Sequence, residues 1–239
     1  MGILVTSAGC DHVFGVRPVA AEVDAAPSRP PPMYVTSSVA HGGNVSSLMF
    51  PVVVPDVADR FLIVSVGLSG DPGTVPVVGA VTYGGVPLAL LASVIGVPTQ
   101  ANTRSEQWQL VAPPLGNHDV VVTLLQPGLT IHASAMLFSG VNQTTPVRAA
   151  AKGSGQASST LVTVASADGD LVESVVGHGG GITSAGENQV TVFVDNTSAN
   201  YSLDNAGGSV AAGAAPYVTM TWTMPVVDEW QQIAASLQP

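Results

Sequence analysis

The string His178-Gly179-Gly180-Gly181 is the first place where residue type and spacing could do chemistry. A histidine before three glycines builds the oxyanion loop of some lipases and esterases, where backbone N–H groups face a developing alkoxide. That chemistry also needs a serine on a G-x-S-x-G elbow between a strand and a helix. The nearest string, Gly67-Leu68-Ser69-Gly70, lacks the second spacing, and no strand–helix alternation surrounds it. The plainer reading is a glycine-rich loop. Asp168, Asp170 and Glu173 lie close enough in sequence to offer oxygens to a calcium ion. The alternate-position acids and distant glutamate of an EF-hand are missing, and Asp168-Gly169 suits a turn. Asp56 and Asp59 read as turn residues too. The five histidines, His12, His41, His118, His132 and His178, never fall at the i, i+2 or i, i+4 spacing of metal ligands. Cys10 is the only cysteine, so there is neither a disulfide framework nor a cysteine zinc site. A glycosidase pair of carboxylates comes from separate strands, so spacing does not test it. The acids here are few and sit mostly in turns. Trp108, Trp222 and Trp230 have the faces for stacking on a sugar, and equally the bulk for a sandwich core, which is where they are expected. The residues therefore nominate no catalytic group, no cofactor site and no metal site.

The composition points the same way. Charged residues are 9% of the chain, against about 25% in ordinary proteins. Lys152 is the single lysine, with Arg17, Arg29, Arg60, Arg104 and Arg148. The formal net charge is −10. Nucleic-acid binding by counterion release needs clustered Lys and Arg, and no cluster exists. The surface must be built from Ser, Thr, Asn, Gln, Gly and Ala, which protects weakly against self-association. Such a surface suits a protein that sits against neighbours. No apolar run approaches the roughly 18 residues of a membrane helix. The start MGILVTSAGC lacks the basic n-region and long apolar core of a secretion signal, and is read as neither a lipoprotein nor a myristoylation signal. The sequons at Asn44, Asn142, Asn196 and Asn200 read as part of a polar β surface.

The elements that must position these groups are strands. Residues 1–33 read as an extended arm or linker, because Pro30-Pro31-Pro32 fixes φ and removes three donors. From residue 34 to 239 the chain reads as one antiparallel, jelly-roll-like β-sandwich of about ten to twelve strands, an all-β fold. Strands are expected at 46–54, 60–68, 77–83, 86–91, 107–111, 118–125, 130–138, 160–165, 170–176, 189–194 and 217–224. Pro51 marks an edge strand. Gly84-Gly85 marks a two-residue hairpin. Gln126-Pro127-Gly128 reads as a turn, 177–188 as a glycine-rich loop and 206–215 as a small-residue loop. The tail DEWQQIAASL fits either a short helix or a last strand.

Several of these strings are familiar together. LIVSV, VTYGGVPL, EQWQLVAPPLGNHDVVVTL and AMLFSGVNQTTPV, followed by SADGDLVESVV and VTMTWTM…DEWQQIAASLQP, resemble a module of bacteriophage virion proteins and bacterial surface or uncharacterised proteins. The resemblance spans residues 35–239. It implies a jelly-roll-like sandwich used as a virion decoration, head-fibre or tail component, or as an extracellular binding module, and it supplies no catalytic residues. The expectation is a non-enzymatic structural protein of a phage particle. As a capsid decoration or cement protein it would contact the major capsid protein or other virion subunits and form a homo-oligomer. The alternative is a carbohydrate-binding or adhesion module at a cell surface.

Overall fold

The computed structural model describes residues 29–71, 73–97, 102–196 and 205–239. Residues 1–28 of the expected arm, with Cys10 and His12, lie outside the described residues. Pro30–Pro32 run over Gly140, where a Cβ would come 3.3 Å from the Pro31 carbonyl oxygen.

Thirteen strands and no helix occur among the described residues, in two antiparallel sheets. The first sheet holds β1 (Met33–Val54), β2 (Phe61–Ser69), β3 (Val78–Tyr83), β4 (Val86–Pro87), β5 (Ala89–Ile95), β6 (Thr103–Val111) and β7 (Gly116–Ser139). The second holds β8 (Val147–Ala165), β9 (Leu171–His178), β10 (Ser184–Ala185), β11 (Gln189–Asn196), β12 (Asn205–Ala212) and β13 (Tyr217–Leu237). The chain is thus all-β and antiparallel, as its pattern predicts.

The two sheets share one topology. In the first, long β1 pairs with long β7 along its length, β2, β6 and β5 continue from the C-terminal part of β7, and β3 pairs with its N-terminal part. In the second, β8 pairs with both ends of β13, β9, β12 and β11 continue from the C-terminal part of β13, and β10 pairs with its N-terminal part. Only β4 lacks a counterpart. The chain is a tandem repeat of one strand order, which no periodic sequence signal reveals.

Each sheet bends back on itself and becomes two layers. In β13 the bend is Pro225-Val226-Val227, where the ladder with β8 breaks between Thr223 and Asp228. Gln232 then donates from Nε2 to the Met220 carbonyl of the same strand, 3.2 Å away across the fold. In β7 the bend contains Pro127, opposite the register shift between Val45 and Ser47 of β1. Proline suits both places because a ladder bond is already missing there.

Between the layers of the first half lies a core of Phe50, Val52, Leu62, Val64, Tyr83, Val120, Val122, Ile131 and Leu137, with Trp108 packed at its margin. The second half encloses Val162, Val164, Val172, Met220, Trp222 and Ala234. The two inner layers then stack face to face. Along that seam β1 touches β11 and β5 touches β8, which are equivalent contacts with the halves exchanged. That pair of contacts is reciprocal, as in an isologous interface, while β13 also reaches β5 and β6.

The stack explains the sequence pattern. β2 is buried on both faces, one in the core and one in the seam, so FLIVSVGLS reads as an unbroken apolar run rather than an alternation. The C-terminal part of β8 covers a core with one face and meets water with the other, so TLVTVA alternates. The hairpin at Gly84-Gly85 is as expected: Tyr83 pairs with Val86, and both glycines have positive φ, +54° and +79°. Pro51 lies in β1, which pairs only with β7.

Two sequence expectations need correcting. Gln126-Pro127-Gly128 is not a turn but the bend inside the 24-residue β7. Residues 206–215 are not a loop: most belong to β12, whose glycines let Phe193 and Trp222 pack on the backbone. Residues 147–159, where the sequence pattern marks no strand, form the first part of β8.

Candidate functional site

Two places gather polar side chains. The first is the seam. At one end it is apolar, closed by Phe61, Ile63, Met136, Phe138, Val210 and Leu237. Toward the other end the residues are polar. On β6, Gln107 donates from Nε2 to Glu173 Oε2 of β9, 3.2 Å away. Thr103 donates to Glu229 Oε1 of β13, and Gln231 donates from Nε2 to Thr103 Oγ1 at 2.6 Å. Glu173 and Glu229 are both fully buried. Burial pushes Glu173 up to about 8, against the hydrogen bond from Gln107. Burial raises Glu229 as well, opposed by Thr103 and Gln231. Glu173 is therefore mostly a neutral acid at neutral pH, and Glu229 is shifted in the same direction.

On the opposite flank, Asp195 of β11 receives His132 Nε2 of β7 at 3.3 Å, with His41 Nδ1 of β1 3.9 Å away. The hydrogen bond from His132 holds the Asp195 carboxyl below its ordinary value. His41 and His132 are direct cross-strand partners, so the ladder itself aligns them.

The second place is the loop after β9. His178 is buried, and its Nδ1 accepts the Gly180 amide at 3.0 Å, which leaves the proton of the neutral ring on Nε2. Burial lowers its pKa, against the pull of Asp228 and of the Gly181 and Ala157 backbone. The glycines are needed because the bend of β13 presses on them. A Cβ on Gly180 would lie 2.2 Å from Val226 Cγ2, and one on Gly179 would lie 2.8 Å from Asp228 Oδ2. Asn196 donates to the Ile182 carbonyl and accepts from its amide, at 3.0 and 2.8 Å. Asn205 donates to the carbonyls of His178 and Gly179, each at 3.1 Å. Above this loop lies an open depression of about 490 Å³.

The remaining candidates disperse. Asp168 accepts the Ala215 amide, Asp170 pairs with Arg148, and Glu173 points into the seam, so the three do not form a calcium cage. Asp170 is held below its ordinary value: burial would raise it, but bonds from Arg148, Ser236 and the Ala167 amide outweigh that. His118 faces the Leu115 carbonyl at 3.0 Å. Among the described residues the histidine side chains bond to a backbone carbonyl, a carboxylate and a backbone amide, none to a serine or threonine hydroxyl. No group of three His, Cys, Asp or Glu able to hold a metal occurs among them either. Trp222 is buried, while Trp108 and Trp230 are half-buried against the cores. Trp108 donates to Glu106 at 2.9 Å.

Sequence reasoning missed Asp195 and the Thr103–Glu229–Gln231 group. Glu173 did leave a signal: it stands between Leu171 and Val175 on a strand buried on both faces, where a charge is costly. In comparisons with known proteins, no protein-family model matches the chain, and no curated protein matches it.

Proposed function

We propose that the protein is a non-enzymatic structural component of a bacteriophage particle, a capsid decoration or surface protein that docks on the major capsid protein or neighbouring subunits. The observation that carries this reading is the outer surface of the four-layer body. The first half turns Met49, Val53 and Leu125 outward, 64%, 55% and 70% exposed. The second half turns out Leu161 and Tyr217, 63% and 58% exposed, beside the hydrogen-bonded pair Thr163 and Thr219. The ladder sets Met49 beside Val121, and Leu161 beside Thr221. A body with weakly charged, partly apolar faces is suited to permanent contact more than to free diffusion. The resemblance of the sequence to virion modules supports the same reading. None of the tryptophans is openly exposed, which favours a structural role over a stacking platform for long glycans.

The test is co-sedimentation with intact virions on a density gradient. The expected result is a fixed copy number per major capsid protein, close to the lattice count for a decoration protein. Absence from purified particles would end this reading.

A further inference from the structure

We propose that the depression over Gly179–Gly181 is a binding site for a neutral sugar or polyol, gripped through two neighbouring hydroxyl groups. Its size of about 490 Å³ lies within the usual range for small-molecule sites. The walls combine an apolar part, Ile182 and Pro225, with the Asp228 carboxylate, the Asn205 amide and the glycine peptides. Asp228 uses Oδ1 to accept the Glu229 amide at 2.7 Å, while Oδ2 lies over Gly179 and Gly180. Asn205 commits its Nδ2 to two carbonyls, so what it has left to offer is the Oδ1 acceptor. Acceptors of this kind call for hydroxyl donors, and the C–H face of a sugar ring complements proline and isoleucine. Among the described residues no lysine or arginine lines the depression, which disfavours an anionic ligand. The loop is held in place by Asn196 and Asn205, so little ordering would accompany binding.

The first half of the chain is an internal control. Aligning the ladders puts Leu68 of β2 in the place of His178, and therefore Arg104 and Ile95 in the places of Asn205 and Asn196. There the loop after β2 is longer and closes on itself: a Cβ on Gly70 would meet the Thr74 carbonyl oxygen at 2.5 Å and the Pro76 ring at 3.0 Å. The same strand order thus forms without the paired amides and with this corner filled. Among the described residues the polar depression is particular to the second half.

This inference stands apart from the particle reading, and failure of either leaves the other intact. The test titrates the full chain with methyl glycosides of glucose, galactose, mannose and N-acetylglucosamine, following backbone amide shifts and heat of binding. Expected is saturable millimolar binding of at least one glycoside, with shifts confined to Gly179–Gly181 and Asp228. Asp228→Asn should weaken it about tenfold or more, as losing a charged acceptor does, with the melting temperature unchanged. Shift mapping on the unaltered protein decides the matter even if that variant folds poorly. No saturation with any glycoside, shifts located elsewhere, or a response to tetramethylammonium alone would overturn the proposal.

Discussion

Glu173 is a carboxylic acid that keeps its proton because the seam around it excludes water. In the folded protein it titrates at about 8, against an ordinary 4.5. Between those values the folded state binds one more proton than the unfolded chain, so stability falls as pH rises through that window and levels off above about 8. Glu229, raised for the same reason, adds a slope of the same sign. Glu173→Gln should flatten the pH dependence and gain on the order of a few kcal/mol over the parent near pH 8, read from urea midpoints across pH. An unchanged slope would contradict the buried neutral acid. Arg148 and Asp170 work in the opposite direction. Their pair stabilises the fold above the ordinary carboxylate range and fades as pH falls through the lowered value of Asp170. The Asp170 side chain is fully buried while Arg148 is 39% exposed, so Arg148→Met should cost about 1–3 kcal/mol at pH 7. That cost should shrink below about pH 4.

At the scale of elements, the bends in β7 and β13 decide the architecture. Gly180 passes beneath the second bend, and Gly180→Ala would press a methyl onto Val226. It should lower stability by about 1–3 kcal/mol through overpacking. Gly85→Ala meets open space and should cost only about 1–2 kcal/mol, from its positive φ. Thermal melts of the two variants distinguish crowding from backbone strain. The bends also mark where the sequence stopped being legible. Strands covered on one side announce themselves by alternation, as TLVTVA and YVTMTWTM do, and the Gly84-Gly85 hairpin is written in two residues. A proline inside a long strand looks the same as a proline in a turn until the partner strand is known. β12 was hidden for another reason: its small residues leave room for Phe193 and Trp222, so its apolar weight sits on neighbouring strands. The loop at 179–181 was visible as glycine, but Asp228 and Asn205 reach it from strands distant in sequence.

At the scale of the whole molecule, the seam packs the two cores against each other. Phe138 is fully buried at the apolar end of the seam, beside the aromatic ring of Tyr34, with ring centroids 6.3 Å apart. Phe138→Ala should cost about 3–5 kcal/mol. Trp108 reports on the first half and Trp222 on the second, and both should lose their native fluorescence in a single transition in parent and variant alike. Two separate melts would show that the halves are energetically independent. The repeated strand order has a further consequence. In a true homodimer every substitution appears twice, so a feature needed on one flank is imposed on the other. When both halves share one polypeptide, each flank evolves alone. His132 and Asp195 occupy positions where the other half has Gln231 and Val94, and the glycine corner has no twin. Two halves of one strand order joined in a single chain are free to differ, and these positions are where they do.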